Sequence, residues 1–157
     1  MGARVVDLSL DDLRSLFELR EGLECMACRL AAERISDAEL VALEDRLRGH
    51  SEQPEVAAGQ SYYQPGGDQD FHFGIARASH SPRLIRSLSD HIYDVMRPYR
   101  FRSSQTPGRA IEALKEHHAV VEALRSRDPA KAEAAMRAHI RSSWLNTQSV
   151  FQPTERR

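Results

Sequence analysis

The sequence is poor in residues on which several protein classes depend. Among its 157 residues there is one tryptophan, and there are two cysteines, Cys25 and Cys28. A single Cys-x-x-Cys with no second pair excludes a zinc ribbon, and the lack of a strand before it argues against a thioredoxin-like redox site. Because both cysteines fall in a strongly helical stretch, we expect two reduced thiols on the first helix, with at least one packed as a small hydrophobic side chain.

Long apolar runs are absent as well. No segment approaches the roughly 20 apolar residues of a membrane-spanning helix, and the N-terminus lacks the apolar core of a signal peptide. These two absences predict a cytoplasmic protein. With 41% apolar and 29% charged residues, the length corresponds to one globular domain.

No excess of positive charge marks the chain. Its 22 basic and 23 acidic residues are interspersed and give a formal net charge of -1. A nucleic-acid-binding domain normally shows a clustered basic surface. We therefore expect that this chain alone does not bind DNA.

Strand patterns are nearly absent too. Beyond the short run 3–6, apolar residues recur at helical spacing, which predicts an all-α domain of six helices. The predicted helices begin at or just after cap and turn residues: Ser9, Ser36, Asp68, Ser81, Thr106 and Asp128. We expect Pro98 to bend or end the fourth helix, and the sixth to end near Asn146. Residues 54–67 predict an irregular connection whose tyrosines pack onto the core.

An aspartate and a histidine in the third predicted helix are spaced for metal binding. Asp68 and His72 are four residues apart, so on a helix both side chains lie on one face and can reach one cation. Asp70 cannot join them. One carboxylate with imidazole ligands suits a borderline divalent ion such as Zn2+, Ni2+, Mn2+ or Fe2+.

Two further histidines lie symmetrically about the last turn signal. His117 is 11 residues before Asp128 and His139 is 11 residues after it. Two antiparallel helices that fold back at this turn would set both imidazoles side by side, about 16 Å from the turn. His118 lies about 100 degrees round the helix from His117, so only one of the two can face the ion. The other histidines, His50, His80 and His91, are expected to be exposed or hydrogen-bonded, with His80 the one candidate for a pocket rim.

Three segments of the chain carry a resemblance to a known family. They are LRSLFELREGLECMACRLAAER near the start, DQDFHFGIARASHSPRL in the middle and EHHAVVEALRSRDPAKAEAAMRAHI near the end. They resemble the effector-binding and dimerisation domain, called FCD, of bacterial GntR-type transcription regulators of the FadR subgroup. The resemblance covers nearly the whole chain and implies an antiparallel bundle of six to seven helices that encloses a divalent metal, Zn2+ as first choice. The ligands that it implies are Asp68, His72, His117 and His139.

The resemblance also implies partners. Members bind a small organic acid, form homodimers, and act on DNA through an N-terminal winged helix-turn-helix of roughly 70 residues. In this interpretation GARVVDLSL looks like the last strand of the wing plus the linker, and residues 1–8 are the remnant of that strand and linker. Residues 9–148 form the effector-binding and dimerisation domain, and 149–157 form a flexible tail. The sequence would then be part of a longer regulator from which the DNA-binding domain has been removed, or a natural protein that lacks this domain.

Three residues are candidates for effector binding. Arg20 matches an arginine in the family's first helix, Arg109 matches one ahead of the Glu-His pair, and Ser81 stands where the family often has an asparagine. A guanidinium offers two parallel donors to a carboxylate. Two alternatives stay open, namely an ion pair between Arg20 and Glu24 at i,i+4 and a surface position for Arg109.

The sequence-based hypothesis is a sensing and dimerisation domain without catalytic residues, in which the metal accepts the carboxylate of an effector. A metal-dependent hydrolase and a purely structural, metal-bound dimerisation module are the alternatives. The hydrolase has little support. The sequence has no His-Glu-x-x-His motif and no His-Asp doublet, and no unassigned carboxylate lies in a motif typical of a general base.

Overall fold

The computed structural model describes residues 8–64 and 70–151, and within these ranges the chain contains helices and no strand. The predicted all-α class is therefore confirmed. In chain order the elements are α1 (Leu10–Arg34), α2 (Asp37–Ser51), α3 (Pro54–Ala57), α4 (Phe71–Ala78), α5 (Pro82–Ser87), a π-helical segment (Leu88–Tyr93), α6 (Asp94–Ser103), α7 (Arg109–Arg125) and α8 (Pro129–Phe151).

The first two helices begin where their caps predict. The Ser9 hydroxyl accepts a hydrogen bond from the Asp12 amide at 3.1 Å, and the Asp12 carboxylate in turn accepts one from the Ser9 amide. Ser36 and Glu39 form the same reciprocal arrangement at the start of α2. Because each box satisfies amides that the first turn of a helix leaves unpaired, both starts are fixed by local sequence.

Helices α7 and α8 form the predicted hairpin. The turn contains Arg127 at φ 52, and the Asp128 carboxylate accepts a hydrogen bond from the Lys131 amide at 3.0 Å. Helix α8 continues to Phe151, so the expected end near Asn146 is wrong, and residues 149–151 belong to the helix. The rest of the expected tail, 152–157, lies outside the described residues. The last turns of α8 are held by tertiary contacts that the local sequence does not reveal: the Phe151 ring packs 5.3 Å from the ring of Tyr99.

Helix α4 begins later than expected. Asp70 is its N-cap, with an extended backbone and a carboxylate that accepts hydrogen bonds from the amides of His72 at 2.8 Å and Phe73 at 3.3 Å. The helix that contains His72 therefore does not extend back to Asp68, which lies outside the described residues. The i,i+4 relation on one helix face, which suggested this pair, does not hold.

The middle of the chain differs from the prediction in three places. Residues 54–57 form the short helix α3 within the expected irregular connection. Helix α6 continues through Pro98 to Ser103, so the expected end at this proline is wrong, and the irregularity lies upstream in the π-helical segment. Helix α7 starts after Gly108, which adopts φ 80, a left-handed conformation that favours glycine.

Helix α1 packs along α8, α7 packs against α8, and α4 lies across α1, so one apolar core forms between these elements. Cys25 and Cys28 are buried in that core as free thiols, as expected. Burial raises the pKa of the Cys25 thiol to about 11 and that of Cys28 further, so neither is a reactive thiolate. Among the described residues, no helix is long and apolar enough to cross a membrane.

The capping box of α2 provides a test of the fold. Replacing Ser36 by Ala removes the acceptor for the Glu39 amide and should lower the free energy of unfolding by about 1 kcal/mol. For a domain of this size the melting temperature should fall by roughly 2–4 °C in differential scanning calorimetry. Ser149→Ala, near the end of α8, is the control; an equal loss in both variants would contradict the cap assignment.

Candidate metal centre

Three imidazoles from three helices meet at one buried point. His72 of α4, His117 of α7 and His139 of α8 are 3%, 1% and 4% exposed. The Nε2 atom of His139 lies 3.2 Å from Nε2 of His72 and 3.3 Å from Nε2 of His117. Two nitrogens bound to one tetrahedral zinc ion would be about 3.3 Å apart, given bonds of roughly 2.05 Å. The spacing of the imidazoles therefore fits a shared cation.

A separate group holds the other nitrogen of each ring. Nδ1 of His72 lies 2.5 Å from Oε2 of Glu24, and Nδ1 of His139 lies 2.7 Å from Oε2 of Glu116. A neutral imidazole beside a carboxylate carries its proton on the nitrogen that donates to that carboxylate. The Nε2 lone pairs of His72 and His139 therefore face each other, an arrangement that a cation between them would stabilise.

The third ring is held by a hydroxyl. Nδ1 of His117 lies 3.0 Å from the hydroxyl of Tyr62, which also lies 2.9 Å from Nδ1 of His50. Tyr62 can donate to one imidazole and accept from the other. When it accepts from His117, the third Nε2 lone pair also faces the common point. The residues present thus fit a divalent ion in both their ligand atoms and the groups that orient them.

Arginines complete the ring of outer contacts. Arg20 Nε donates to Glu24 at 2.6 Å, within α1. Arg109 donates through both terminal nitrogens to the two oxygens of Glu116, at 2.9 and 2.6 Å. These ion pairs keep each carboxylate charged and directed at its histidine, so α1 and α7 both fix the geometry of the centre.

The pKa shifts of His117 and His139 agree with neutral rings, and those of Glu24 and Glu116 agree with ionised carboxylates. Burial, with the neighbouring imidazoles, lowers the pKa of His117 well below 6.5 and outweighs the Glu116 hydrogen bond in lowering that of His139 to about 4. Burial alone would raise the pKa of Glu116, but hydrogen bonds from His139 and Arg109 lower it to about 2. Burial opposes ionisation of Glu24 as well, and the charge of Arg20, with hydrogen bonds from His72 and Arg20, holds the pKa of Glu24 well below the usual range.

A small cavity of about 60 Å³ adjoins the three histidines. The described residues that line this cavity include Arg20, Arg100 and Arg109. Nη1 of Arg20 is buried and has no hydrogen-bond partner among the described residues, although Nη2 lies 3.4 Å from Nε2 of His72. A buried guanidinium with a free donor is costly unless an acceptor arrives, so the cavity is suited to an anion.

The structure brings together most of the residues that the sequence singled out. His117 faces the centre, whereas His118 is exposed, in accordance with the prediction. Arg20 forms the expected ion pair with Glu24 and also lines the cavity, and its contact with an effector stays a prediction. Arg109 is buried, and its expected surface position is wrong, because Glu116 lies two helical turns along α7.

Other predicted positions lie elsewhere. Ser81 is the N-cap of α5, its amide donates to the Ser79 hydroxyl, and it is not among the residues that line the cavity. His50 is buried and hydrogen-bonded, whereas His91 is exposed. His80 is exposed and bonds to Glu39 at 3.0 Å, away from the centre.

Sequence reasoning missed Tyr62, Glu116 and Arg100 as parts of the site. Glu116 had a detectable signal, because it precedes His117 and follows Arg109 by seven residues, which is about two turns of a helix. Tyr62 lies within the expected irregular connection 54–67. Arg100 lines the cavity from α6, and its carboxylate partner is Asp70 at 2.9 Å. Neither position has a local pattern.

With this geometry in place, comparison with known proteins identifies the family. The sequence profile of the FCD domain matches residues 15–142. The chain belongs to the FCD domain family. This FCD domain is 29% identical over 136 residues to the HTH-type transcriptional regulator LutR of Bacillus subtilis (strain 168), covering 83% of this chain and 59% of LutR. It is 30% identical over 142 residues to a probable D-xylose utilization operon transcriptional repressor of Paenarthrobacter nicotinovorans, covering 89% of this chain and 60% of the repressor.

The domain spans only part of its relatives. It covers 40% of the Nta operon transcriptional regulator of Aminobacter aminovorans, to which it is 36% identical over 88 residues, or 54% of this chain. Among solved structures, McbR/YncC of E. coli superposes with a TM-score of 0.75, covering 91% of this chain and 71% of that chain at 18% identity. This likeness establishes the shared fold of the FCD domain.

The buried histidines predict how stability depends on pH. An unfolded histidine gains a proton below its ordinary pKa of 6.5, whereas His139 resists protonation down to about 4. The unfolded state therefore binds more protons in this window, and the metal-free domain should lose stability as the pH falls. For His139 alone the loss at about pH 5 is on the order of 2 kcal/mol. The stability that ionised Glu116 contributes is lost as the pH falls from 4.5 to about 2, which is almost entirely below this window.

Thermal unfolding in EDTA at a series of pH values measures this effect. Between about pH 6.5 and pH 4 the free energy of unfolding of a His139→Gln variant should fall less steeply than that of the wild-type domain. The reason is that glutamine does not bind a proton in the unfolded state, as His139 does. Identical declines in both proteins would contradict the assignment of His139 as a buried neutral imidazole.

The Tyr62 hydroxyl predicts a second effect. Tyr62→Phe keeps the ring but removes the oxygen that orients His117, and loss of such an outer partner typically costs about 10–100-fold in metal affinity. Zinc affinity is measured by competition with a chromophoric chelator. The matched control is Tyr99→Phe, since the Tyr99 hydroxyl bonds to the Leu8 amide away from the centre. Equal affinities in all three proteins would show that Tyr62 does not position His117.

Proposed function

We propose that this FCD domain is the sensing module of a bacterial transcription regulator, and that it holds a divalent metal ion and binds a small organic acid. One observation carries the proposal: three buried Nε2 atoms converge within 4.8 Å, and each ring is fixed through its other nitrogen. Imidazoles that serve only for packing need no such arrangement. The names of the relatives support the regulatory role.

The proposed ligands are His72, His117, His139 and Asp68, with Zn2+ as first choice and Ni2+, Mn2+ or Fe2+ as alternatives. Asp68 is two residues from Asp70, whose position as the cap of α4 is fixed. Asp68 itself lies outside the described residues, and it is proposed as a ligand because a carboxylate beside imidazoles suits a divalent ion. When bound, the ion supplies a Lewis acid that attracts a carboxylate.

The residues around the cavity favour a small anionic effector. Arg20 offers a free donor, whereas Arg109 is engaged by Glu116 and Arg100 by Asp70, so Arg20 is the proposed contact for the acid. Arg109 then acts through Glu116 and His139 rather than on the acid directly. The inner volume of about 60 Å³ corresponds to about four to six water sites, which admits a carboxylate group and a few atoms beside it.

Regulation would require partners beyond this domain. Because the chain spans 40% to 60% of the curated relatives, we propose that DNA binding resides in an N-terminal winged helix-turn-helix and that two FCD domains form a homodimer. Residues 1–8 would then lead from the DNA-binding domain into α1. An effector that favours one packing of the helices joined at the centre would shift the spacing of the DNA-binding domains.

An enzymatic role has weaker support from the site. A metal hydrolase needs a base that can take a proton from water. Glu24 and Glu116 are the nearby described carboxylates, and each is engaged by an arginine and an imidazole. Their lowered pKa values disfavour uptake of a proton. The regulator relatives also point away from catalysis, so we propose binding without turnover.

A thermal-shift screen tests the proposal. Purified domain is loaded with Zn2+ and mixed with small mono-, di- and tricarboxylates, with and without EDTA. At least one acid should raise the melting temperature of the metal-loaded domain and should have no such effect in EDTA. At an acid concentration 100 times its dissociation constant, the free energy of unfolding should rise by about 2.7 kcal/mol. His139→Ala should lose metal and acid response together.

The matched control is His118→Ala, which removes an exposed imidazole one position from His117. It should keep both metal and acid response. If His139→Ala kept its acid response after losing metal, the metal would not anchor the effector. If no acid shifted the metal-loaded domain, a purely structural ion would become the better account.

Asp68 is tested separately as the fourth ligand. Asp68→Ala should weaken zinc binding by at least about tenfold, since removing a ligand costs more than removing an outer partner. Asp45→Ala, which removes an exposed carboxylate on α2, is the control and should bind zinc as the wild type does. Chelator competition provides the affinities; unchanged binding in Asp68→Ala would restrict the protein ligands to the three histidines.

A further inference from the structure

A chain of three buried side chains extends from the metal centre to α2. His50, Tyr62 and His117 are all buried, and His50 is the penultimate residue of α2. The Tyr62 hydroxyl lies 2.9 Å from Nδ1 of His50 and 3.0 Å from Nδ1 of His117. The Tyr62 ring contacts both imidazoles in T-shaped geometry, at centroid distances of 5.6 and 5.4 Å. Tyr62 therefore bridges a proposed metal ligand and a histidine that lies outside the three-histidine cluster.

The Tyr62 hydroxyl has a single proton to donate. Burial, with the charge of Asp70, raises the pKa of Tyr62 above 10, so the hydroxyl stays protonated. A phenolic oxygen donates one hydrogen bond and can also accept one. With an imidazole nitrogen on each side, Tyr62 donates to one histidine and accepts from the other. The three side chains thus form a hydrogen-bond chain that has two possible directions.

One direction of this chain closes the metal site. If Tyr62 donates to Nδ1 of His117, that nitrogen is an acceptor, and the neutral ring carries its proton on Nε2. Nε2 of His117 lies 3.3 Å from Nε2 of His139, which can accept because the Nδ1–H of His139 donates to Glu116. This arrangement satisfies the imidazoles of the metal-free domain, but it leaves His117 without a lone pair for a cation.

The opposite direction opens Nε2 of His117. Nδ1–H of His117 then donates to the Tyr62 oxygen, and the hydroxyl donates to Nδ1 of His50. A histidine must offer an unprotonated nitrogen to a metal, and its other N–H ordinarily donates to an acceptor that fixes the tautomer. The Tyr62 oxygen serves as that acceptor only if its own proton has an acceptor in turn. Nδ1 of His50 is in position to provide it.

We propose that His50 is a positioning residue of the metal centre. As the terminal acceptor of the chain from His117 through Tyr62, it stabilises the direction in which Nε2 of His117 is open to a cation. This inference deepens the proposed function and rests on it. Because His50 lies on α2, the centre extends to a helix that provides neither a histidine ligand nor one of its carboxylate partners.

The replacement His50→Phe tests this role, because it keeps a buried aromatic ring and removes the acceptor. In the metal-free variant the chain can adopt its other direction, so the Tyr62 hydroxyl stays hydrogen-bonded to His117. In the zinc-bound variant Nδ1 of His117 carries the proton, and the hydroxyl has lost its acceptor. The loss therefore falls on the zinc-bound state. Zinc affinity, measured by competition with a chromophoric chelator, should fall about fivefold or more, the effect of one lost hydrogen bond.

Two further variants separate this role from packing. His50→Asn should recover most of the wild-type affinity, because Oδ1 of asparagine is attached at Cγ, as Nδ1 of histidine is, and can accept from the Tyr62 hydroxyl. In a Tyr62→Phe background the hydroxyl is gone, so the addition of His50→Phe should not lower the affinity further. A double-mutant cycle measures this coupling. A loss of packing would persist in both tests.

His91→Phe is the matched control, because it makes the same replacement at an exposed histidine and should bind zinc as the wild type does. Circular dichroism verifies that each variant folds; if His50→Phe does not, the smaller His50→Leu removes the same acceptor. Wild-type zinc affinity in the variant without the acceptor would overturn the inference. So would an equal loss with and without the Tyr62 hydroxyl, or no recovery in His50→Asn. In each of these outcomes the wild-type domain still binds zinc and the proposed function stands; if the wild type bound no zinc, both would fail.

Discussion

The structure depends on the direction of three buried lone pairs. Glu24 and Glu116 accept hydrogen bonds from Nδ1–H of two imidazoles, and the Tyr62 hydroxyl holds the third ring, so three Nε2 atoms are turned toward one point. Neutral rings in that arrangement repel one another, and a cation relieves the repulsion. The histidines come from α4, α7 and α8, while α1 provides the Glu24 carboxylate. One cluster of histidines therefore joins the main elements of the bundle.

This organisation explains why the core contains charge. Arg20 and Glu24 are 1% and 2% exposed, on a helix whose other buried residues are apolar or small. A buried ion pair seldom stabilises a fold more than apolar packing would, because both groups lose their hydration. Its value here is geometric, since Glu24 fixes the direction of His72, while Nη1 of Arg20 has no hydrogen-bond partner among the described residues. Apolar side chains at these two positions of α1 would favour stability, whereas the charged pair favours the geometry of the site.

Much of the fold follows from local sequence, whereas the site does so only in part. Capping boxes set the starts of α1 and α2, and the symmetric placement of His117 and His139 about the last turn suffices to bring them together. The early part of the site did not follow the expected pattern, because Asp70 caps α4 and interrupts the presumed helix before His72. Tyr62 had no periodic signal at all; its place in the site arises from tertiary contacts with His50 and His117, which spacing along the chain cannot reveal.

The central claim is that the three histidines bind one divalent ion through Nε2. The most direct test is a crystal structure of the zinc-loaded domain with anomalous data collected on both sides of the zinc absorption edge. The account predicts one anomalous peak per chain, about 2.0–2.1 Å from Nε2 of His72, His117 and His139. A peak at another position, or an ordered centre in which the imidazoles hydrogen-bond to one another without an ion, would contradict it.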